Sequence, residues 1–320
     1  NKCKIILFYI LNKNNRVIIN IGDFMKTTLL IMYNKLIYRI CRLFKRDGSV
    51  FPGSLVKKHD KNILKKIKYP KYVVGITGSS GKGSTTSQVA YILEKNGYKV
   101  VWNKNGSNLI NAAITLILNN TNTFTKKMNA DILLMELDES YIKEIFDKNT
   151  LTHLLITNIT RDQPARNGHP LLILNKIIDA IGDNTHIIIN ADDPLVSRLK
   201  LTHKGKITTY GLDKTKHSFK KPALNNVDFA YCPKCHEKLE YSYYHYGHLG
   251  NYKCPRCDFY RGTPDCLATN INLDKQHITI DNNEIYINKN ALYTAYATTA
   301  AYTLAKVLNI REYKILYALN

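Results

Sequence analysis

The chain has 320 residues, 44% of them hydrophobic and 22% charged, ordinary globular values that exclude a fully disordered or fibrous chain. Of the formal charge of +21, residues 1–71, with 17 basic and 3 acidic side chains, supply +14, so the basic character belongs to an N-terminal arm and speaks against a nucleic-acid binder along its whole length. The length suits two domains or one large domain with an insertion, seven cysteines are too few for a disulfide scaffold, and no apolar run approaches the ~18–20 residues that span a bilayer.

The early apolar run Ile5 to Leu11 is followed by no small-residue cleavage site, which argues against a signal peptide. Met25 is the first methionine, and no function is built on residues 1–24. Over residues 26–46, Leu29, Leu30, Tyr33, Leu36, Ile37, Ile40, Leu43 and Phe44 recur at roughly helical spacing, with Lys35, Arg39, Arg42, Lys45 and Arg46 between them. Two readings stand side by side: a basic amphipathic helix on an anionic membrane surface, or a helix packed on the main domain with solvated charges. Asp47-Gly48 and Phe51-Pro52-Gly53 end it.

From Tyr72 the pattern alternates. Residues 73–77, 99–102, 131–136, 153–157 and 186–190 are short apolar runs that predict buried strands, and 84–96, 109–118 and 171–181 predict helices between them. This predicts an α/β fold with a mostly parallel sheet and helices on both faces. Residues 229–262 interrupt it with Cys, Pro and Tyr; short strands near 268–273 and 284–288 and a helix over 291–308 follow.

Gly78-Ser79-Ser80-Gly81-Lys82-Gly83-Ser84-Thr85 lies between a predicted strand and a predicted helix, the context of a phosphate-binding loop. Glycines let backbone N–H groups turn toward phosphate oxygens, and a helix N-terminus adds its dipole. Lys82 would neutralise the terminal phosphates and Ser84 would ligate Mg²⁺. The G-x4-G-K-[ST] spacing is not met, because Gly83 separates Lys82 from Ser84. Glu136 ends a buried strand at the edge where α/β sheets bind ligands, with Asp138 and Glu139 behind it, and reads as a second Mg²⁺ ligand. Asn158-Ile-Thr-Arg161-Asp162-Gln163 follows the next strand and would face the same edge. Asn190-Ala191-Asp192-Asp193-Pro194 follows another strand and reads equally as a helix cap.

Cys232-x2-Cys235 and Cys254-x2-Cys257, with 18 residues between, supply four thiolates for a tetrahedral Zn²⁺ with no open position, a structural rather than a catalytic site. His245 and His248 read as solvated or supporting. Tyr241, Tyr243, Tyr244 and Tyr246 could stack bases or pack a small ribbon core.

Together, the loop ITGSSGKGSTT, the strand end ELDES, the segment TNITRDQPARNG and the turn NADDPL resemble the ATP-binding central domain of the Mur ligase superfamily. The resemblance runs from about Pro52 to Ile310. The inserted CPKCHEKLEYSYYHYGHLGNYKCPRC is similar to one branch, the synthetase subunits of glutamine-hydrolysing lipid II isoglutaminyl synthase. The resemblance implies an ATP-dependent carbon–nitrogen ligase with ATP, Mg²⁺ and Zn²⁺ as cofactors. It would amidate the D-glutamate α-carboxylate of the lipid II stem peptide through an acyl phosphate. A GatD-like glutamine amidotransferase subunit would supply ammonia in a heterodimer, and no nucleic acid would be involved. It implies a cytoplasmic location, at the inner membrane face if the basic helix binds lipid. By carry-over Lys82 holds phosphate, Ser84 and Glu136 hold Mg²⁺, and Asn108 lies toward the substrate side.

The sequence also departs from that pattern. Asp162-Gln163 replaces the Asp-His of many members and suits the branch. Pro164-Ala165-Arg166-Asn167-Gly168 replaces Leu-Asp-Arg-Tyr-Gly, and Tyr293-Thr294-Ala295-Tyr296-Ala297-Thr298 lacks both asparagines expected near the adenine. Lys176 lies near where some relatives carry a carbamylated lysine. The expected organisation is a basic extension over 1–50, the ATP-binding domain over 51–228 and 263–320, and a zinc ribbon over 229–262, without the superfamily's C-terminal ligase domain. Alternatives are a folylpolyglutamate synthase-like glutamate ligase, whose loop carries the same GKGS, and a nucleotide-binding module without turnover.

Overall fold

The computed structural model describes residues 21–104, 106, 108–160, 169–221 and 230–320. Its principal elements begin with α1 (Ile21–Leu43), α2 (Phe51–His59), β1 (Tyr72–Thr77), α3 (Lys82–Lys95), β2 (Val100–Trp102), α4 (Ile110–Asn119), β3 (Ile132–Glu136) and β4 (His153–Ile156). They continue with α5 (Pro170–Ala180), β5 (His186–Asn190), β6 (Ile207–Leu212), β7 (Glu240–Tyr246), β8 (Leu249–Lys253), β9 (Cys266–Asn272), β10 (His277–Ile280), β11 (Asn283–Tyr286), α6 (Leu292–Val307) and α7 (Glu312–Leu319). The chain divides into two compact units.

The first unit joins the described residues up to Pro70 with Leu109–Ala130. Here α1, α2 and α4 bury Ile31, Val56, Ile114, Ile117 and Leu118. Helices α2 and α4 come so close that a Cβ on Gly53 would lie 2.0 Å from the Asn111 carbonyl oxygen. The buried Asn34 donates from Nδ2 to Thr115 O at 3.3 Å and to Asn119 Oδ1 at 2.9 Å, while its Oδ1 has no hydrogen-bond partner among the described residues. Helix α4 was expected beside the sheet, but it groups with α1 and α2. Its periodicity shows an apolar face without showing which layer that face meets. Across α1 from the packed face, Met25, Leu29, Met32, Leu36 and Leu43 recur every three to seven residues as an exposed apolar stripe.

The second unit is Lys71–Asn108 with Asp131–Asn320. Among the described residues its main sheet has nine strands in the order β11-β10-β9-β6-β5-β4-β1-β3-β2. Neighbours from β2 to β9 run parallel, and β9, β10 and β11 pair antiparallel. The interior parallel strands are covered on both faces, so they must be apolar throughout; Leu133-Leu134-Met135 and Ile187-Ile188-Ile189 are all buried. Strand β10 was not foreseen in the sequence. Helix α6 is buried along 12 of its 16 residues. Its alanines and threonines allow close packing on α3 and β6, and Thr299 and Thr303 satisfy their hydroxyls on carbonyls one turn back at 2.7 Å. Strands β7 and β8 form a separate antiparallel hairpin.

Candidate functional site

Strand β1 delivers the chain to the glycine loop at the carboxyl edge of the sheet. Gly78 has φ +130°, and a Cβ there would lie 2.2 Å from Thr157 Oγ1, so no other residue fits. Gly81 has φ +81° and is the N-cap of α3, with open space before it. The left-handed turn at Gly81 starts the helix at Lys82, two residues before the sequence expectation.

The end of β4 fixes the loop from below. The Ser79 N–H donates to Asn158 O at 2.8 Å, and the Ser80 N–H and hydroxyl donate to Asn158 Oδ1. Thr157 Oγ1 and Asn158 Nδ2 return bonds to Ser80 O. These bonds occupy the donors of Ser79 and Ser80. The first-turn N–H groups of α3 have no acceptor within the helix, and no side chain caps it. They point where an anion would sit.

Two acids and a lysine meet beside the loop. Glu139 is buried, accepts the Gly78 N–H at 2.8 Å and pairs with Lys82 Nζ at 3.3 Å; Lys82 also donates to Gly78 O. Asn103 holds Glu136 by its backbone, accepting from its N–H at 2.8 Å and donating to its carbonyl at 2.9 Å. Burial pushes the Glu136 carboxyl above its usual range; the Lys82 ammonium opposes this and the Glu139 carboxylate adds to it. Such a carboxyl gains from a cation beside it, which suits a divalent metal. A Cβ on Gly83 would lie 3.3 Å from Glu136 Oε2, so the α3 position facing this acid carries no side chain. Ser84 instead lines a cavity of about 380 Å³ that Glu136 does not line.

That cavity opens from Ser80, Gly81, Ser84 and Thr85 toward Asn158, Asn190, Tyr210, Tyr246, Tyr293, Tyr296 and Ala297. The buried Thr85 hydroxyl has no hydrogen-bond partner among the described residues. Asn108 does not line the cavity. Lys176 donates to Ser140 Oγ at 3.1 Å. Arg161, Asp162, Gln163 and the stretch to Gly168 lie outside the described residues, as does Cys3.

Asp193 caps the short helix Pro194–Ser197 through the N–H groups of Leu195 and Val196, as one reading of the NADDP turn expected. It also accepts the Ile159 N–H at 2.8 Å and sits 3.1 Å from His248 Nε2. Asp192 is buried and takes Arg261 Nε at 2.5 Å, the Tyr296 hydroxyl at 2.6 Å and the Leu212 N–H at 3.0 Å. The sequence gives no local sign of Arg261 or Glu139, because their partners lie 69 and 57 residues away. His245 and His248 are buried rather than solvated.

Cys232, Cys235, Cys254 and Cys257 bring four sulfurs within 4.8 Å of one another. Cys232 and Cys257 are 3.6 Å apart, and Cys235 and Cys254 3.4 Å. Tetrahedral zinc with bonds of ~2.3 Å would hold sulfurs roughly 3.8 Å apart, so the residues fit the ion. The Lys234 and Arg256 N–H groups each point at a knuckle sulfur at 3.4 Å, a contact that favours thiolate.

The profile described as the Mur ligase middle domain matches residues 76–242. The protein named lipid II isoglutaminyl synthase (glutamine-hydrolyzing) subunit MurT from Staphylococcus aureus (strain COL) is 30% identical over 284 residues, covering 88% of this chain and 63% of that protein. Its namesake from Streptococcus pneumoniae (strain ATCC BAA-255 / R6) is 30% identical over 289 residues, covering 89% and 63%. The chain thus spans 63% of the length of these curated relatives. A pseudomurein peptide ligase type C from Methanothermus fervidus superposes with a TM-score of 0.61 at 25% identity, covering 81% of this chain and 51% of that one. MurF from Acinetobacter baumannii gives 0.55 at 16% identity, covering 83% and 49%, a likeness of fold.

Proposed function

The chain belongs to the Mur ligase family, matched through its middle domain over residues 76–242, and from that premise we propose that it is the ATP-dependent synthetase part of a lipid II amidating ligase. The observation that carries this reading is the uncapped start of α3 behind Gly81, with Lys82 held at 3.3 Å from Glu139 and close to Glu136.

A carboxylate is a poor acceptor of ammonia. Transfer of the γ-phosphoryl group of ATP to an oxygen of the D-glutamate α-carboxylate releases ADP and gives an acyl phosphate. Ammonia from a glutamine-hydrolysing partner subunit attacks the acyl carbon, loses a proton and expels phosphate. The protein's work is positioning and charge neutralisation. Lys82 leaves Glu139 and Gly78 O for phosphate oxygens, while Glu139 keeps the Gly78 N–H and so holds the loop's shape. Glu136 would hold Mg²⁺, which offsets charge on the transferring group, and Ser84 faces the cavity beside it. The four cysteines would hold a structural zinc. The exposed stripe of α1, with exposed Arg39, Arg42, Lys45 and Arg46 along its last turns and just beyond, supports contact with an anionic membrane surface, where lipid II resides. Sedimentation with anionic but not neutral vesicles is expected, and equal sedimentation with both contradicts the electrostatic part of that contact.

Given Mg·ATP, glutamine and lipid II, this chain alone is expected to form no isoglutaminyl lipid II by mass spectrometry. With a glutaminase subunit and the remaining length of its relatives, product is expected. Product from the chain alone contradicts the two-subunit reading, and no product from the completed pair contradicts amidation.

A further inference from the structure

The cavity beside the glycine loop has two chemically different ends. The start of α3 gives it the Gly81 and Ser84 backbone and the Ser84 and Thr85 hydroxyls; Tyr210, Tyr246, Tyr293, Tyr296 and Ala297 give it mostly aromatic walls. One of these walls comes from the cysteine-bearing insertion. Tyr246 ends β7, at the turn of the hairpin. Its ring meets Tyr296 edge-on at 5.9 Å and 87°, and it lines the cavity together with Ser80 of the glycine loop.

Both neighbours of that turn are tied down. The His245 ring packs edge-on against Tyr296 at 5.9 Å and lies 3.3 Å by Nε2 from Leu212 O. His248 Nε2 is 3.1 Å from Asp193 Oδ1. The Gly250 N–H donates to Asp192 O at 2.9 Å. Arg261, where the chain leaves the insertion, closes the same cluster on Asp192. A freely hanging hairpin would need none of these buried bonds; a hairpin that must present one ring at a fixed place does. The Thr85 hydroxyl, buried at the same cavity without a hydrogen-bond partner among the described residues, marks a place where a ligand oxygen is wanted.

We propose that the insertion's hairpin supplies Tyr246 as a stacking wall for the base of the bound nucleotide, which makes the metal-bearing insertion a working part of the nucleotide site. The proposal rests on the nucleotide reading above. Four tyrosines and the Ala297 methyl line that end of the cavity, so stacking is the main contact it offers a base. Stacking on one aromatic ring is worth roughly 1–3 kcal/mol, about 5- to 150-fold in affinity.

Calorimetric titration of the full chain with Mg·ATP and with magnesium tripolyphosphate tests this, because tripolyphosphate has the anionic end and no base. Tyr246→Ala should weaken ATP binding by roughly 10- to 100-fold and leave tripolyphosphate unchanged, while Tyr246→Phe should stay within about threefold of wild type for ATP. Equal ATP affinity in wild type and Tyr246→Ala overturns the proposal and leaves the nucleotide reading intact. Loss of both ligands in Tyr246→Ala overturns it too, because the tyrosine then only supports the fold. Wild-type protein that binds neither ligand overturns the nucleotide reading itself.

Discussion

The glycine loop and the cysteine insertion meet at one cavity but are held by different means. The loop is shaped by its own backbone: Gly78 at φ +130°, Gly81 at φ +81°, and a ladder of bonds to Thr157 and Asn158. The insertion is held at one end by four sulfurs and at the other by side chains, with Asp192 receiving Arg261 and Tyr296, Asp193 facing His248, and His245 set on Leu212 O. A backbone device tolerates almost no change at its glycines and much change elsewhere. A side-chain device depends on partners far apart in sequence, and each partner is exposed to a single substitution.

That contrast can be broken at the insertion first. Purified protein is expected to hold one zinc by elemental analysis, and structural zinc of this kind contributes roughly 10–16 kcal/mol of apparent binding energy to local folding. Chelation should release it and unfold the ribbon while the sheet unit keeps its helical and strand signal in circular dichroism. Cys254→Ser should reproduce the effect and Cys41→Ser should not. Metal-free protein with an intact ribbon would remove the sulfur end of the comparison.

Next in size is the buried charge. Arg261 and Asp192 are almost fully enclosed, at 6% and 0% side-chain exposure. Arg261→Ala leaves Asp192 a buried charge without its cation and is expected to destabilise by about 3–5 kcal/mol, lowering the thermal midpoint by roughly 10 °C. A change below about 0.5 kcal/mol, within surface-substitution range, would show that the Tyr296 hydroxyl and the Leu212 N–H hold Asp192 unaided.

The smallest effect lies at the loop. Folded protein keeps the Glu136 proton to a higher pH than the unfolded chain does. Stability from this group is therefore unaffected below the ordinary glutamate range and declines as pH rises through the folded value. Glu136→Gln should raise the metal-free thermal midpoint at pH 7–8 by on the order of 1 °C, with no gain near pH 4, and should abolish any rise on adding Mg²⁺. A lowered midpoint at neutral pH would mean the carboxylate is already well paired without metal.

The same contrast explains what could be read from the residues. Strands β1, β3, β4 and β5 were legible because strands covered on both faces must be apolar runs, and the loop was legible because glycines and lysine sit in one stretch. The cysteine knuckles carry their spacing with them. By comparison, the Lys82–Glu139 pair, Arg261 on Asp192 and the presence of Tyr246 beside Ser80 in one cavity join residues 57 to 166 positions apart, where no local rule operates. Tyr246 was read only as one of four ribbon tyrosines. Of the others, Tyr241 stacks on Tyr244 at 4.0 Å and packs against Tyr252, and Tyr243 is buried. Ser84 was placed opposite Glu136 by analogy of motif, whereas the inserted residue turns Gly83 to that acid and Ser84 to the cavity.

The central claim is that Gly78–Thr85 is a Mg·ATP site whose charged anchor is Lys82. Calorimetric titration of Mg·ATP into the chain and into Lys82→Ala tests it most directly. Wild type is expected to bind, and Lys82→Ala to bind at least ~100-fold more weakly, because the γ-phosphate loses its charged partner while the fold is unchanged. Equal affinity in the two proteins would contradict the assignment of this loop.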